Sequence, residues 1–372
     1  MSARFVHIAD SHLGAGGFGN KLNEHGLNQR EEDICRAFSA AIDRAIELRP
    51  DFVIHAGDLF HTVRPTNRII NFAIKEMLKL AAAEIPIVII SGNHDAPKQR
   101  SVGHVLSIFE NLPGVIPVFK SKFESISIKG VTVGCLPHCL TPEILQQEFT
   151  NVKPGETRFN ILVAHGVAAG IERFSMAELS EEEIPSSLFR SGFDYTALGH
   201  FHKYTEVEEN VYYAGSTERL SFNEIDEDKG LLEVDLETGE VKFHKLPVRD
   251  MLELYSINAG GFDYNELNAA LQRSFSGVDV TDKIVRLKIL NLSEVLYNNL
   301  PVREIRELSR TAFHFKLITE REEAVHVQLD SEIKFGRLLD EFNGYLEKRP
   351  VEKLDKQKIR AMAEKYFRQV EE

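Results

Sequence analysis

Short runs of β-branched and apolar residues recur through residues 1–200, each closed by a polar cluster and followed by a stretch with apolar positions at helical spacing. A half-buried strand alternates its faces and a helix repeats every three or four positions, so this rhythm predicts an α/β domain. Phe5–Ala9 reads as a strand ending at Asp10, Phe52–Ala56 as one ending at Gly57-Asp58, and Ile85–Ile90 as one ending at Gly92-Asn93-His94-Asp95. Asn160–Ala164 ends at His165, and Tyr195–Leu198 at Gly199-His200-Phe201-His202. Glu31–Leu48 and Asn67–Ala83 read as helices packed on the sheet. Further strands are expected at Glu124–Ile128, Val131–Cys135, Val211–Ala214, Leu231–Val234 and Val241–Lys245, with turns at Lys129-Gly130 and Glu237-Thr-Gly239. Two sheets packed face to face with helices outside, a four-layer α/β/β/α sandwich, is the expected architecture.

After Pro247 the polar strand ends stop and the pattern changes. Leu252–Ile257 and Lys283–Leu290 read as strands, Tyr264–Phe275 and Val302–Leu308 as helices, enough for a small α/β cap. From Ser331 two amphipathic helices are expected, Ile333–Leu346 and Lys356–Val370, divided near Pro350. The expected division is therefore a main domain at 1–250, a cap at 251–325 and a helical segment at 326–372.

Five strand ends carry residues that ligate metals. Loops at the carboxyl ends of strands are free to shape a site, which is where α/β sheets gather ligands. Asp10 and His12, at i and i+2, are expected to project to one side of an extended strand end. Asp58, after a glycine that permits a tight turn, has two oxygens and suits a bridge between two ions. Asn93 offers a carbonyl oxygen, and His165, His200 and His202 offer imidazoles. Mixed oxygen and nitrogen donors suit manganese, magnesium, iron or zinc rather than a thiolate-selected metal. Two such ions about 3.5–4 Å apart can clamp a phosphate and activate a water, which points to phosphoester hydrolysis. His94 is placed to supply a proton to the leaving oxygen, with Asp95 expected to orient it, and His61 to help at the phosphate. Lys21, Arg30, Arg64, Lys98 and Arg100, in loops after ligand-bearing strands, are expected phosphate contacts. His7 and His55, inside strands, read as satisfied core histidines.

Composition narrows the substrate without changing the chemistry. The net charge of −13 over 372 residues argues against a protein that coats nucleic acid, though not against a nuclease, whose metals bring their own positive charge. No apolar run approaches the roughly 20 residues needed to cross a bilayer, and Met1–Gly14 has no leader pattern, so a cytoplasmic protein without membrane association is expected. Cys35, Cys135 and Cys139 are too few for a disulfide framework or a zinc site and read as buried thiols.

Asp10-Ser-His12, Gly57-Asp58-Leu-Phe-His61, Gly92-Asn93-His94-Asp95, His165-Gly166 and Gly199-His200-Phe201-His202 resemble the calcineurin-like metallophosphoesterase superfamily over roughly residues 4–235. Ala9-Asp-Ser-His-Leu-Gly14, Tyr213-Ala-Gly-Ser-Thr-Glu218 and Asp228-Lys-Gly230 are similar to its DNA-repair exonuclease branch, which holds bacterial SbcD and the meiotic recombination eleven nucleases. The resemblance implies one metal at Asp10, His12, Asp58 and His202 and another at Asp58, Asn93, His165 and His200, with His94 as general acid and His61 as a helper in exonuclease cutting. It also implies manganese, a homodimer, a DNA-contacting cap and a helical pair that docks an SMC-like coiled-coil ABC ATPase of the SbcC type, with nucleoid association if the source is bacterial.

Three functions stay open at this point. The leading one is a manganese-dependent DNA exonuclease and endonuclease in a repair complex. A phosphodiesterase for small nucleotides, or another phosphoesterase, keeps the chemistry and changes the substrate. A non-catalytic partner of the ATPase keeps only the fold.

Overall fold

A computed structural model of the chain describes residues 3–19, 21–169, 183–322, 342, 345–346 and 356–371. It divides into two units, Met1–Arg321 and Glu322–Glu372. In the first unit, the early apolar runs form a six-stranded sheet from Arg4–Ile8 (β1), Phe52–His55 (β2), Ile87–Ile90 (β3), Val115–Val118 (β4), Gly230–Asp235 (β13) and Glu240–Lys245 (β14). Its order is β14-β13-β1-β2-β3-β4, with β1 to β4 parallel and the β13-β14 hairpin antiparallel at the edge. The second sheet holds Glu124–Ile128 (β5), Val131–Leu136 (β6), Phe159–His165 (β7), Tyr195–Gly199 (β10), Thr205–Glu208 (β11) and Val211–Tyr213 (β12), in the order β11-β12-β10-β7-β6-β5. Val167–Ala168 (β8) and Glu183–Ile184 (β9) pair separately.

Alternation along the strands builds the layers. Phe5 and Phe52, stacked at 5.4 Å, face Val133, Ile161 and Tyr195 of the other sheet and form the inner core. Val6, Ile8, Val53 and Ile87 point outward onto Gln29–Leu48 (α1) and Asn67–Ala82 (α2). Leu162, Ala164 and Leu198 point the other way, onto Pro142–Phe149 (α3) and Ser186–Phe189 (α4). The expected α/β/β/α sandwich is therefore present, and the central strands are buried on both faces because each sheet is covered on both.

Residues 251–321 carry a sheet and core of their own within the first unit. Ile284–Leu292 (β17) is central and His314–Arg321 (β18) runs parallel beside it, flanked by Tyr264–Phe275 (α5), Glu294–Asn298 (α6) and Val302–Leu308 (α7). The strand expected at Leu252–Ile257 is two pieces, Met251–Glu253 (β15) and Ile257–Asn258 (β16). Met251 pairs with Ile284 and Ile257 with Ile289, six residues against five, so one residue is extruded and the strand breaks around exposed Tyr255. In the second unit Lys356–Glu371 (α8) is a helix, while the helix expected at Ile333–Leu346 lies largely outside the described residues. No helix among the described residues is long and apolar enough to cross a membrane, and the three cysteines are buried free thiols.

Candidate metal centre

Because β1, β2 and β3 are parallel, as are β7 and β10, the five ligand-bearing loops leave the two sheets at one edge. Asp10 (φ 51°), His12 (φ 45°), Asp58 (φ 52°) and His200 (φ 105°) all stand in the left-handed region. Each such residue costs about 1–3 kcal/mol and persists only where the surroundings enforce it. Here the loops after β1 and β2 are laced together: Asp10 N–H donates to the Gly57 carbonyl at 3.1 Å, His12 N–H to Asp58 at 3.0 Å, and His61 N–H to Leu13 at 3.0 Å. Asp10 and His12 thus reach the site through turns, not from an extended strand end. Two glycines clear the space, since a Cβ on Gly92 would strike the Asp58 carboxylate and one on Gly199 the Ala56 carbonyl.

His165 shows what the centre can hold. Its Nδ1–H donates to the Ala56 carbonyl at 2.8 Å, which leaves Nε2 facing Asn93 Oδ1 at 3.0 Å and Asp58 Oδ2 at 3.4 Å. The second face repeats the arrangement: His12 Nε2 lies 3.1 Å from His202 Nε2 and 3.7 Å from Asp58 Oδ2. Asp58 stands between the two groups, and His200 Nδ1 completes the first at 3.2 Å from Asn93 Oδ1. Donor atoms of Asp10, Asp58 and His165, and again of Asp10, His12 and His202, lie within 4.8 Å of one another.

The electrostatics match a site built around positive charge. Burial alone would lower the His165 pKa, but the charges of Asp58 and Asp10 and the hydrogen bond to Asp58 outweigh it and raise it to about 10. Burial would raise Asp58, yet His165 and His12 hold it below the ordinary carboxylate range. Burial pushes His12 well down, so its ring is neutral and one of its two nitrogens is a lone-pair donor. His12 and His165 approach the same Asp58 oxygen from two sides, and this mixture of nitrogen and oxygen donors fits divalent metal ions.

His94 stands beside this centre with its N–H bonded to Asp58 Oδ1 at 2.8 Å. Its ring Nδ1–H donates to the His61 carbonyl at 3.1 Å, and its ring stacks on His61 at 5.1 Å, leaving Nε2 for the cleft. His61 in turn places Nδ1 3.3 Å from His12 Nδ1. The cleft measures about 750 Å³ and is lined on one side by His12, Asp58, His61, Asn93, His94, His200 and His202, and on the other by Lys203 and the Leu220–Glu227 segment.

Several expectations change. Asp95 does not orient His94: it is wholly buried, and its oxygens accept the backbone N–H groups of Gly92 (3.0 Å) and Leu59 (3.1 Å), tying the β2 and β3 loops together. Arg30 is no phosphate contact. It is buried at the start of α1, bonded to Asp33, Glu218 and the Arg219 carbonyl and set over the Phe18 ring. Lys21 leans over Phe313 at 5.2 Å, away from the cleft. Arg64 and Lys98 are exposed, and the side chain of Arg100 lies outside the described residues. His7 and His55 are only half satisfied: His7 Nδ1 meets Tyr195 and His55 Nε2 meets Ser11, while His7 Nε2 and His55 Nδ1 are without a hydrogen-bond partner.

Glu224 was not legible in the sequence. This buried carboxylate accepts from His202 Nδ1 at 3.3 Å and pairs with the fully buried Lys229 at 2.6 Å. Burial would raise its pKa, but His202 and Lys229 lower it to about 2. It lies 22 residues beyond His202 in a short turn, with no local motif. The signal nearest to it is Lys229, in Asp228-Lys-Gly230.

Comparison with known proteins agrees with this geometry. The calcineurin-like phosphoesterase family model matches residues 3–204. The DNA double-strand break repair protein Mre11 of Methanococcus maripaludis is 32% identical over 60% of this chain and 59% of its own length. That of Thermoplasma acidophilum is 32% identical over 70% of this chain and 69% of its own length, and that of Sulfurisphaera tokodaii 24% over 88% and 84%. The chain thus spans 59% of the length of the first of these relatives and more of the others. With the family model covering the whole strand-end constellation except the outer carboxylate, the chain belongs to the calcineurin-like phosphoesterase family.

Proposed function

We propose that this protein is a manganese-dependent DNA nuclease, cutting phosphodiester bonds as exonuclease and endonuclease in double-strand break repair. The observation that carries the reading is the approach of His12 and His165 to one Asp58 oxygen, with the ring edge of His94 in the same cleft. Asp10, His12, Asp58 and His202 would hold one ion, and Asp58, Asn93, His165 and His200 the other. When bound, the ions supply positive charge to the phosphate and lower the pKa of a water molecule. The chain's own residues do the rest. His165 and His12 are fixed by hydrogen bonds from their second nitrogens, so their ligand edges need no reorganisation. His94, braced by the His61 carbonyl and ring, directs Nε2 into the cleft; as the imidazolium, with Nδ1–H kept by the His61 carbonyl, it would give the Nε2 proton to the leaving oxygen and end as the neutral ring.

DNA as substrate is supported by the relatives, each named a DNA double-strand break repair protein. In this reading the cap at 251–325 contacts DNA, Arg64 and Lys98 meet phosphates, the protein works as a homodimer, and the helical segment at 326–372 docks an SMC-like coiled-coil ATPase. The test is cleavage of labelled duplex and single-stranded DNA with added manganese, wild type against Asp58→Ala. Cutting by wild type alone is expected. No cutting alongside turnover of a small chromogenic diester moves the reading to a small-substrate phosphodiesterase, and no turnover of either to a non-catalytic partner.

A further inference from the structure

One carboxylate beside the metal centre answers to the cap as well as to the site. Glu224 Oε1 accepts from His202 Nδ1 and from Ser221 Oγ (3.2 Å), while Oε2 accepts from Leu220 N–H (3.2 Å) and Lys229 Nζ (2.6 Å). Lys229 Nζ also donates to the His202 carbonyl at 2.9 Å, so His202 is gripped at ring and backbone by one ion pair. Two residues before Glu224, in the same turn, Phe222 points the other way. It is buried with Ile284 and Phe313 of the cap, against Phe18 at 5.3 Å and beneath the Arg286 guanidinium at 4.6 Å. Phe222 and Glu224 are the ends of a single turn, Phe222–Glu224. A shift of the cap that moves Phe222 therefore moves the acceptor that orients His202.

We propose that Glu224 is a positioning residue for His202 and that the Phe222–Glu224 turn couples the cap to the metal centre. Outer-shell carboxylates fix the tautomer and ring direction of a ligating histidine, and their loss typically weakens metal affinity about 10–100-fold. Phe222 touches no ligand, so any effect of its loss on metal binding passes through the turn. The inference rests on the reading of His202 as a metal ligand.

The experiment is manganese titration of the full chain by calorimetry, with thermal unfolding of the metal-free protein measured alongside. His202→Ala is the reference and should abolish or strongly weaken one binding event. Glu224→Gln, which keeps the volume and an acceptor but loses the charge, should weaken the same event about 10-fold or more, and Glu224→Asp should recover part of it. Phe222→Ala should weaken it by a smaller factor, and Phe222→Leu should recover most of the loss. If His202→Ala leaves manganese binding unchanged, the ligand reading fails. If His202→Ala acts but Glu224→Gln and Phe222→Ala bind manganese as wild type does, the coupling is overturned. Should Phe222→Ala not fold, the cap-side variant Phe313→Leu replaces it, and wild-type affinity there counts against the coupling in the same way.

Discussion

The Nδ1–H of His165 donates to the carbonyl oxygen of Ala56 at 2.8 Å, across 109 residues of chain, and so leaves Nε2 of that ring to a ligand. The carbonyl can only accept, which settles the tautomer of the neutral ring. With Nε2 left to a ligand, a divalent metal such as manganese bound there should stabilise the fold. At 100 times the dissociation constant the gain is about 2.7 kcal/mol. Thermal unfolding with and without the metal checks this. A rise in melting temperature is expected for wild type, and a smaller one for His165→Ala; equal rises would remove His165 from the metal centre.

His94 differs from its neighbours in offering the site only its backbone N–H and a free ring edge. His94→Ser keeps the N–H bond to Asp58, so manganese affinity should stay near that of wild type while cleavage falls about 10²–10⁴-fold. Parallel calorimetry and cleavage assays decide it. Loss of metal together with activity would make His94 a ligand.

Arg30 compensates two buried carboxylates, Asp33 and Glu218, and Arg249 shares Asp33 through bonds of 2.6 and 2.8 Å. Arg30→Met strands charge in the interior and should cost about 3–5 kcal/mol of stability. Denaturant unfolding measures the cost. Under the proposed nuclease function the salt dependence of DNA binding should not change, because a buried guanidinium neutralises no phosphate; a shallower slope in the variant would make Arg30 a phosphate contact.

His7 is held neutral by burial, which lowers its pKa to about 3, and the same holds for His55. An unfolded histidine titrates near 6.5, so below that pH the unfolded chain takes up protons that the folded chain refuses. Stability should fall as pH drops from 6.5 towards 3, by about 1.4 kcal/mol per pH unit for each histidine, and be insensitive to these groups above 6.5. Urea midpoints of the metal-free protein at pH 7, 6, 5 and 4 test this against His7→Leu. The variant should lose less stability on acidification, and parallel curves would assign the acid sensitivity to other groups.

The unbroken apolar runs around Phe5, Phe52, Ile87 and Ile161 were enough to place the strands, because burial on both faces of a sheet leaves a continuous local mark. The polar residues that interrupt those runs at the strand ends, Asp10, Asp58, Asn93, His165 and His200, marked the site for the same reason, since parallel strands deliver their ends to one edge. No such mark exists for a partner far away in the chain. Whether Arg30 faces water or Glu218, whether Asp95 holds His94 or the backbone of Gly92 and Leu59, and whether any carboxylate reaches His202 depends on contacts between loops that share no period. His200 N–H meets Asp10 across 190 residues, and Glu224 meets His202 from a turn whose Phe222 packs against Ile284 and Phe313. Local patterning thus determined the elements and the kinds of residue at the metal centre. Only the tertiary structure decided which charges are buried and who holds each ligand, because those choices are made by packing distance and desolvation, and neither is a property of neighbouring positions in the chain.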